Sequence, residues 1–195
     1  MPTILPLPPS AARMKPSPKM QKLCAWIMAC LGWSMRGQWP DLKKVVFIAA
    51  PHTSAWDVVI GLLVIQASGL QVTFMGKQEA FKWPLGPILR RYGGMPVNRK
   101  APGGVIQQVV ENINASERMW FALAPEGTRK EVKAWKTGFW KIAKQADVPV
   151  CCAYFHFPDK VIGVGEVFEL TDDMDADIAR IRAWYKPFQG KKRGA

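Results

Sequence analysis

The stretch Val45-Val-Phe-Ile-Ala-Ala-Pro-His-Thr-Ser-Ala-Trp-Asp57 carries the pattern that decides the fold. Its first five residues are an apolar run bounded by Lys43–Lys44 and Pro51, which is typical of a buried strand. Asp57 then stands at the start of a helix that is apolar almost all round, and Gly69 is placed to end it. A buried strand followed by a buried helix predicts one repeating unit of an α/β sheet.

The same alternation of short apolar runs with longer helical patterns continues to the end of the chain. The last two strands are close enough to form a hairpin across Pro158-Asp159, which favours a mixed sheet over a purely parallel one. We therefore predict an α/β fold: a single domain whose mixed, mostly parallel sheet is flanked by helices. The expected strands are 45–49, 70–75, 95–97, 119–123, 148–155 and 161–164; the expected helices follow Asp57, lie around Phe81 and Ile88, and cover 105–113, 138–146 and 173–185.

The composition limits the classes of partner. The chain has 195 residues, enough for one domain with a sizeable core, and 27 Lys and Arg against 15 Asp and Glu give a net charge of +12. This charge favours anionic partners such as lipid headgroups, phosphates or an acidic carrier protein. The sequence lacks the aromatic-plus-basic strand pattern and the zinc framework of common nucleic-acid binders, so no nucleic acid is expected. With two His and no zinc-like Cys spacing, no structural metal is expected.

Residues 1–44 are predicted to precede the main domain, which spans 45–195. Residues 1–18 are rich in Pro, and Leu23–Trp33 reads as an apolar helix preceded by lysines. This run is shorter than the ~18 apolar residues that cross a bilayer, but it could lie in an anionic membrane surface. Two alternatives stay open: a helix that packs on its own domain, and a short signal with a lipoprotein-like Cys30. A helix that lies in the membrane surface predicts a peripheral protein at the cytoplasmic face of the membrane.

The loop after the first strand contains the residues best suited to proton transfer. His52 can accept a proton near neutral pH, and a carboxylate on one ring nitrogen fixes the tautomer that leaves the other nitrogen free. Asp57, five residues on, is close enough to fold back onto His52. The other histidine, His156, is interpreted as structural. Adjacent Cys151 and Cys152 are expected to point to opposite faces of a buried strand, so neither competes as a nucleophile.

Two further loops, each next to a predicted strand, combine glycine with arginine. Gly94 and Arg99 belong to the basic stretch 90–100, where glycine permits close approach of the backbone and the guanidinium suits phosphate. In the stretch 124–130, exposed amides around Gly127 and Thr128, with Arg129 beside them, would form an anion nest. Ligands gather at strand-exit loops in such sheets, which favours a shared site.

Four motifs in this order resemble the glycerolipid acyltransferase family, which includes the 1-acylglycerol-3-phosphate acyltransferases. They are His52-x4-Asp57, Gly94-Met-Pro-Val-Asn-Arg99, Pro125-Glu-Gly-Thr-Arg129 and Val148-Pro149-Val150. The resemblance implies that His52 is the general base and Asp57 its orienting partner. It further implies that the acceptor, its phosphate and the acyl chain are bound by residues of the other blocks, namely Gly94, Arg99, Glu126, Gly127, Thr128, Arg129 and Pro149.

The expected function is therefore transfer of a fatty acyl group from acyl-CoA or acyl carrier protein to the hydroxyl of a lysophospholipid, such as 1-acylglycerol-3-phosphate. The resemblance implies no metal and no cofactor besides the acyl donor. Two alternatives remain: the same chemistry on a lysolipid without phosphate, and a basic membrane-binding module without catalysis. Acyl length, the donor, the acceptor and the oligomeric state are not determined by the sequence.

Overall fold

The computed structural model describes residues 4–14, 17–83, 85–98 and 104–192, apart from the side chains of residues 76, 77, 79, 80, 85 and 88. The strands are β1 (Ser34–Gly37), β2 (Lys44–Ala50), β3 (Val72–Lys77), β4 (Gly94–Val97), β5 (Met119–Leu123), β6 (Val150–His156) and β7 (Val161–Phe168). The helices are α1 (Pro18–Cys30), α2 (Ala55–Ser68), α3 (Leu85–Arg91), α4 (Gly104–Ala115), α5 (Gly138–Ala146) and α6 (Met174–Tyr185), with a 3₁₀ turn at Gln78–Phe81.

One sheet contains all of these strands, in the order β1-β7-β6-β2-β5-β3-β4. Every neighbouring pair is parallel except the β6–β7 hairpin. The predicted mixed, mostly parallel α/β fold is therefore confirmed. Because β2, β5 and β6 run parallel side by side, the loops that leave their carboxyl ends lie at one edge of the sheet.

The sheet separates two apolar layers. Along β2, Val45 and Phe47 pack in the layer that contains residues of α1 and α2, and Val46 and Ile48 pack in the layer that contains residues of α4, α5 and α6. Cys151 lies in the first layer and its neighbour Cys152 in the second. The predicted opposite orientation of these two cysteines is confirmed, as the two-residue period of a strand requires.

The lead-in predicted to precede residue 45 is part of the folded domain. Its strand β1 pairs in parallel with β7, although no strand was predicted there, because four residues are too few to show an alternating pattern. Trp39 and Ala12 are buried in the first apolar layer. The backbone of Ala12 also accepts a hydrogen bond from Gln71 N at 2.9 Å. The described part of the lead-in therefore contributes to the sheet and to the core.

Helix α1 begins and ends earlier than the predicted 23–33. The Ser17 side chain caps it by accepting from Met20 N, and Pro18 occupies the first helical turn, where its missing N–H costs nothing. Gly32, at φ +76, follows the end of the helix. One face of α1 is buried through Cys24 and Met28, so the helix packs on its own domain. No helix among the described residues is long and apolar enough to cross a bilayer.

Candidate active site

The loop between β2 and α2 holds Asp57 in a fixed orientation. Asp57 is 1% exposed, and Ser54, rather than Asp57, is the N-cap of α2 in a reciprocal capping box. Asp57 Oδ2 accepts hydrogen bonds from Thr53 N at 2.7 Å and Ser54 N at 2.8 Å, and Oδ1 accepts from Ser54 Oγ at 3.1 Å. Short sequence separation and helix-cap geometry together explain why this carboxylate turns back toward the loop.

His52 lies against this carboxylate. Its Nδ1 is 3.2 Å from Asp57 Oδ2, and its side chain is 21% exposed. Burial raises the pKa of Asp57, but hydrogen bonds from His52, Ser54 and Thr53 outweigh it and the net pKa is lowered. An ionised Asp57 accepts a hydrogen bond from Nδ1–H of His52. This tautomer leaves the lone pair of the imidazole on Nε2. The sequence prediction that His52 and Asp57 lie together is therefore confirmed.

Glu126 approaches His52 from the loop after β5. Its Oε1 accepts a hydrogen bond from His52 N at 3.0 Å, and the residue is only 6% exposed. Its other oxygen, Oε2, has no hydrogen-bond partner among the described residues. Burial raises the pKa of Glu126, although the N–H of His52 acts in the opposite direction. One carboxylate oxygen therefore supports the His52 backbone, and the other is a buried acceptor without a partner.

The rest of this loop is open to solvent. Gly127, Thr128 and Arg129 are all exposed, and Gly127 has φ +64, a conformation that disfavours any residue with a Cβ. A Cβ at Gly127 would also lie 2.8 Å from Lys136 Nζ, so this lysine adds positive charge beside the loop. Lys136 could not be predicted from the sequence, because nothing in the stretch before α5 indicates that it returns to this loop.

Two of the predicted site residues lie elsewhere in the sheet. Gly94 shares a row across the sheet with Phe47, three strand spacings or roughly 14 Å from β2. There it lines an open cavity of about 330 Å³. A Cβ at Gly94 would lie 2.7 Å from Leu89 O, which explains the glycine by packing.

Pro149 is also distant from the loop of His52. Its carbonyl accepts from Val46 N at 3.0 Å, so it lies near the amino end of β2, roughly 20 Å along the strand from His52. Neither Gly94 nor Pro149 is therefore brought to His52. Arg99, predicted to contact phosphate, lies outside the described residues.

Segment 186–192, which the sequence did not assign to the site, runs back to the loop of His52. Thr53, fully buried, accepts a hydrogen bond through its Oγ1 from Lys192 N at 3.3 Å. His156 anchors the same segment, since its Nδ1 accepts from Gln189 N at 3.1 Å. This contact gives His156 the structural role expected of it. Apart from its basic residues, no pattern in the segment indicated this return.

The buried cysteines are poor nucleophiles. Burial raises the pKa of Cys152 to about 12 and that of Cys151 further, so both remain thiols at neutral pH. Within the described ranges, no group of three or more His, Cys, Asp or Glu could hold a metal ion. The candidate acid–base groups at this edge of the sheet are therefore His52, Asp57 and Glu126.

A family model described as Acyltransferase matches residues 35–156, more than half of the chain and a range that includes all three of these groups. The chain belongs to the acyltransferase family. This membership confirms the resemblance inferred from the four motifs and the prediction that the protein is an acyltransferase. A search of curated proteins gave no match.

The fold is similar to the crystal structure of the 1-acyl-sn-glycerophosphate (LPA) acyltransferase PlsC from Thermotoga maritima. The two chains share 18% sequence identity with a TM-score of 0.56, and the match covers 89% of this chain and 80% of that one. At this identity the likeness establishes the fold alone.

Proposed function

We propose that this acyltransferase moves a fatty acyl group from an acyl thioester, acyl-CoA or acyl carrier protein, to the hydroxyl of a lysophospholipid, with 1-acylglycerol-3-phosphate as the expected acceptor. The observation that carries the proposal is the contact of 3.2 Å between His52 Nδ1 and the buried, fully hydrogen-bonded Asp57 carboxylate. Membership of the acyltransferase family and the name of the Thermotoga maritima structure support this choice of reaction class and acceptor.

In the proposed mechanism His52 is the general base. Its Nε2 takes the proton of the acceptor hydroxyl as that oxygen attacks the thioester carbonyl. The tetrahedral intermediate then collapses, the bond from carbon to sulfur breaks, and the thiolate takes up the proton as the thiol leaves. Asp57 stabilises the imidazolium that forms between these steps. Positioned proton transfer of this kind contributes ~10²–10⁴-fold to the rate.

Binding of the acceptor is assigned to the loop after β5. Arg129 is exposed two residues after Gly127, in the same loop as Glu126, so its guanidinium can receive a phosphate at the edge of the sheet where His52 lies. Arg99 is proposed as a second phosphate contact on the resemblance alone. Glu126 is given a supporting role here, because its Oε1 is already occupied by the His52 backbone.

We further propose that the protein acts as a peripheral protein on an anionic membrane. Helix α1 exposes Met20, Leu23 and Trp26, the last of these 63% exposed, and α2 exposes Trp56 and Val59. Helix α1 packs beside α2, and Trp56 lies in the first turn of α2, directly after the His52 loop. These exposed apolar side chains are proposed as the membrane-contacting surface. Such a surface on a protein of charge +12 suits a bilayer that contains both the lysolipid and anionic headgroups.

A thiol-release assay tests the proposal. Wild-type protein and His52→Ala are compared with long-chain acyl-CoA or acyl carrier protein as donor and with 1-acylglycerol-3-phosphate, a phosphate-free monoacylglycerol or a lyso-aminolipid as acceptor. We expect release with the phosphate acceptor and a loss of ~10²-fold or more in His52→Ala, while circular dichroism shows an intact fold.

The same assay separates the alternatives. Full activity of His52→Ala would exclude its role as base. Turnover only with the phosphate-free acceptors, unaffected by Arg129→Ala, would indicate a different acceptor class. A wild-type protein that binds anionic vesicles but releases no thiol with any acceptor would be a binding module without catalysis.

A further inference from the structure

The segment 186–192, here called the strap, follows α6 and is fixed to the sheet at the end of β6. The Phe188 ring stacks on Tyr154 with a centroid distance of 3.8 Å and an interplanar angle of 14°. Gln189 forms two hydrogen bonds through its backbone: its N–H donates to His156 Nδ1, and its carbonyl accepts from Phe157 N at 2.9 Å. The strap therefore has a defined course across the edge of the sheet where His52 lies.

The end of the strap rests on Thr53, the residue directly after His52. A Cβ added to Gly190 would lie 2.3 Å from Thr53 Cγ2, so only glycine permits this approach. Lys192 N then reaches Thr53 Oγ1. Thr53 in turn donates its own N–H to Asp57 Oδ2. The strap is thus joined to the same loop that orients the proposed general base.

The strap places two lysines, Lys191 and Lys192, beside the loop of His52. Lys191 Nζ lies 4.9 Å above the ring of Trp56, a contact that stabilises the ammonium group and leaves its charge in place. Lys191 and Lys192 are both exposed, and neither forms an ion pair with a carboxylate of the described residues. The two carboxyl groups of the His52 site, Asp57 and Glu126, are buried. Both charges can therefore meet an anion from solvent.

We propose that the strap supplies Lys191 and Lys192 as phosphate-binding residues of this active site. The inference rests on the proposed acyl transfer, in which the reacting hydroxyl and thioester are neutral, so that phosphate is the anionic group that a substrate brings. Lysine binds phosphate as a compact point charge. Two sources offer this chemistry, the acceptor headgroup and the nucleotide of coenzyme A.

Direct binding tests the proposal without turnover. Isothermal titration calorimetry compares wild type, Lys191→Gln, Lys192→Gln, the double variant and Lys43→Gln, using sn-glycerol 3-phosphate against glycerol and coenzyme A against its dephospho form. Lys43 is an exposed lysine at the opposite end of β2 and serves as the matched control. For solvent-exposed charges we expect about fivefold weaker binding of one phosphate probe per lysine removed. The probe that loses affinity identifies the source of the phosphate.

Three outcomes would overturn the proposal: unchanged affinity of the double variant for both probes, an equal loss of affinity in Lys43→Gln, or a wild-type protein that binds neither probe. Lysine-dependent binding without any thiol release would instead support the strap and contradict the proposed reaction. Where thiol is released, the double variant should raise KM for the phosphate-bearing substrate and leave kcat within about twofold, because a group that binds ground state and transition state alike changes KM alone.

Discussion

Glu126 Oε1 accepts a hydrogen bond from His52 N at 3.0 Å, and this bond joins two loops that are 74 residues apart in the chain. The loop after β5 therefore supports the backbone of His52, which lies in the loop after β2. Glu126 is buried and its Oε2 has no partner within the described structure. The position of His52 consequently depends on a carboxylate that is held in an environment unfavourable to its own charge.

Glu126→Gln should change the pH dependence of stability in a defined direction. Because burial raises the pKa of Glu126 above its ordinary 4.5, the folded protein retains a proton that the unfolded chain releases. Wild-type stability therefore falls as the pH rises from 4.5 toward the raised pKa. Gln keeps an acceptor for His52 N and carries no charge, so the free energy of unfolding of the variant, relative to wild type, should rise over this range.

Urea unfolding at several pH values between 4 and 8 measures this difference. The control is Glu117→Gln, which alters an exposed carboxylate. If the free energies of unfolding of wild type and Glu126→Gln differ by the same amount at every pH, the charge of Glu126 is not destabilised in the folded state.

Asp57→Asn should impair both catalysis and stability. The carboxylate accepts three hydrogen bonds from the loop and faces His52 Nδ1, whereas an amide presents N–H groups to some of these donors. We expect kcat to fall by roughly 10²–10⁴-fold and the free energy of unfolding by about 1–3 kcal/mol. Thiol-release kinetics and urea unfolding measure the two effects.

Asp173→Asn is the matched control for this change. Asp173 also caps a helix, α6, by accepting from Ala176 N at 2.9 Å, but it is exposed. The Asp173→Asn variant should lower the free energy of unfolding slightly and leave kcat unchanged. A kcat for Asp57→Asn close to that of this control would contradict the orienting role of Asp57.

Gly190→Ala should detach the strap from Thr53. The added Cβ would meet Thr53 Cγ2 at 2.3 Å, and Thr53 is fully buried, so the strap is the part that must move. Hydrogen exchange measured by mass spectrometry should accelerate at Gln189 and Lys192, whose amides are bonded to His156 and Thr53.

Gly138→Ala is the control for the strap, because a Cβ at Gly138 meets nothing within 4 Å. Alanine also has a higher helix propensity than glycine, by up to about 1 kcal/mol in a helix interior. This variant should be as stable as wild type or more so, with unchanged exchange in the strap. Equal protection of the strap in both variants would exclude its close packing on Thr53.

Leu23→Ser should weaken binding to anionic vesicles. Leu23 is exposed on α1, and if it enters the bilayer interface, its replacement by a polar side chain should lower the partition coefficient roughly tenfold. Val167→Ser, an exposed aliphatic residue on β7, is the control and should bind as wild type does. Cosedimentation with vesicles of phosphatidylglycerol and phosphatidylcholine gives the two coefficients. Equal binding by both variants would show that α1 does not contact the membrane.

Much of the fold could be predicted because its signals are local. The apolar run of β2, the helix α2 ended by Gly69 and the alternation of Cys151 with Cys152 all follow from residues close in sequence. Strand β1 could not be predicted, since four residues carry no periodic signal. The strand order was equally undetermined, because it depends on pairings between distant segments.

The sequence by itself predicted the pairing of His52 with Asp57, because a separation of five residues at a helix start puts imidazole and carboxylate within reach of each other. Only the tertiary structure decided what surrounds this pair. Glu126 and Lys192 reach the loop from elements far along the chain, and Pro149 is carried to the opposite end of the sheet. Local backbone geometry fixes contacts within one turn of a helix, whereas contacts between loops depend on which strands lie side by side, and that is set by packing of the whole core.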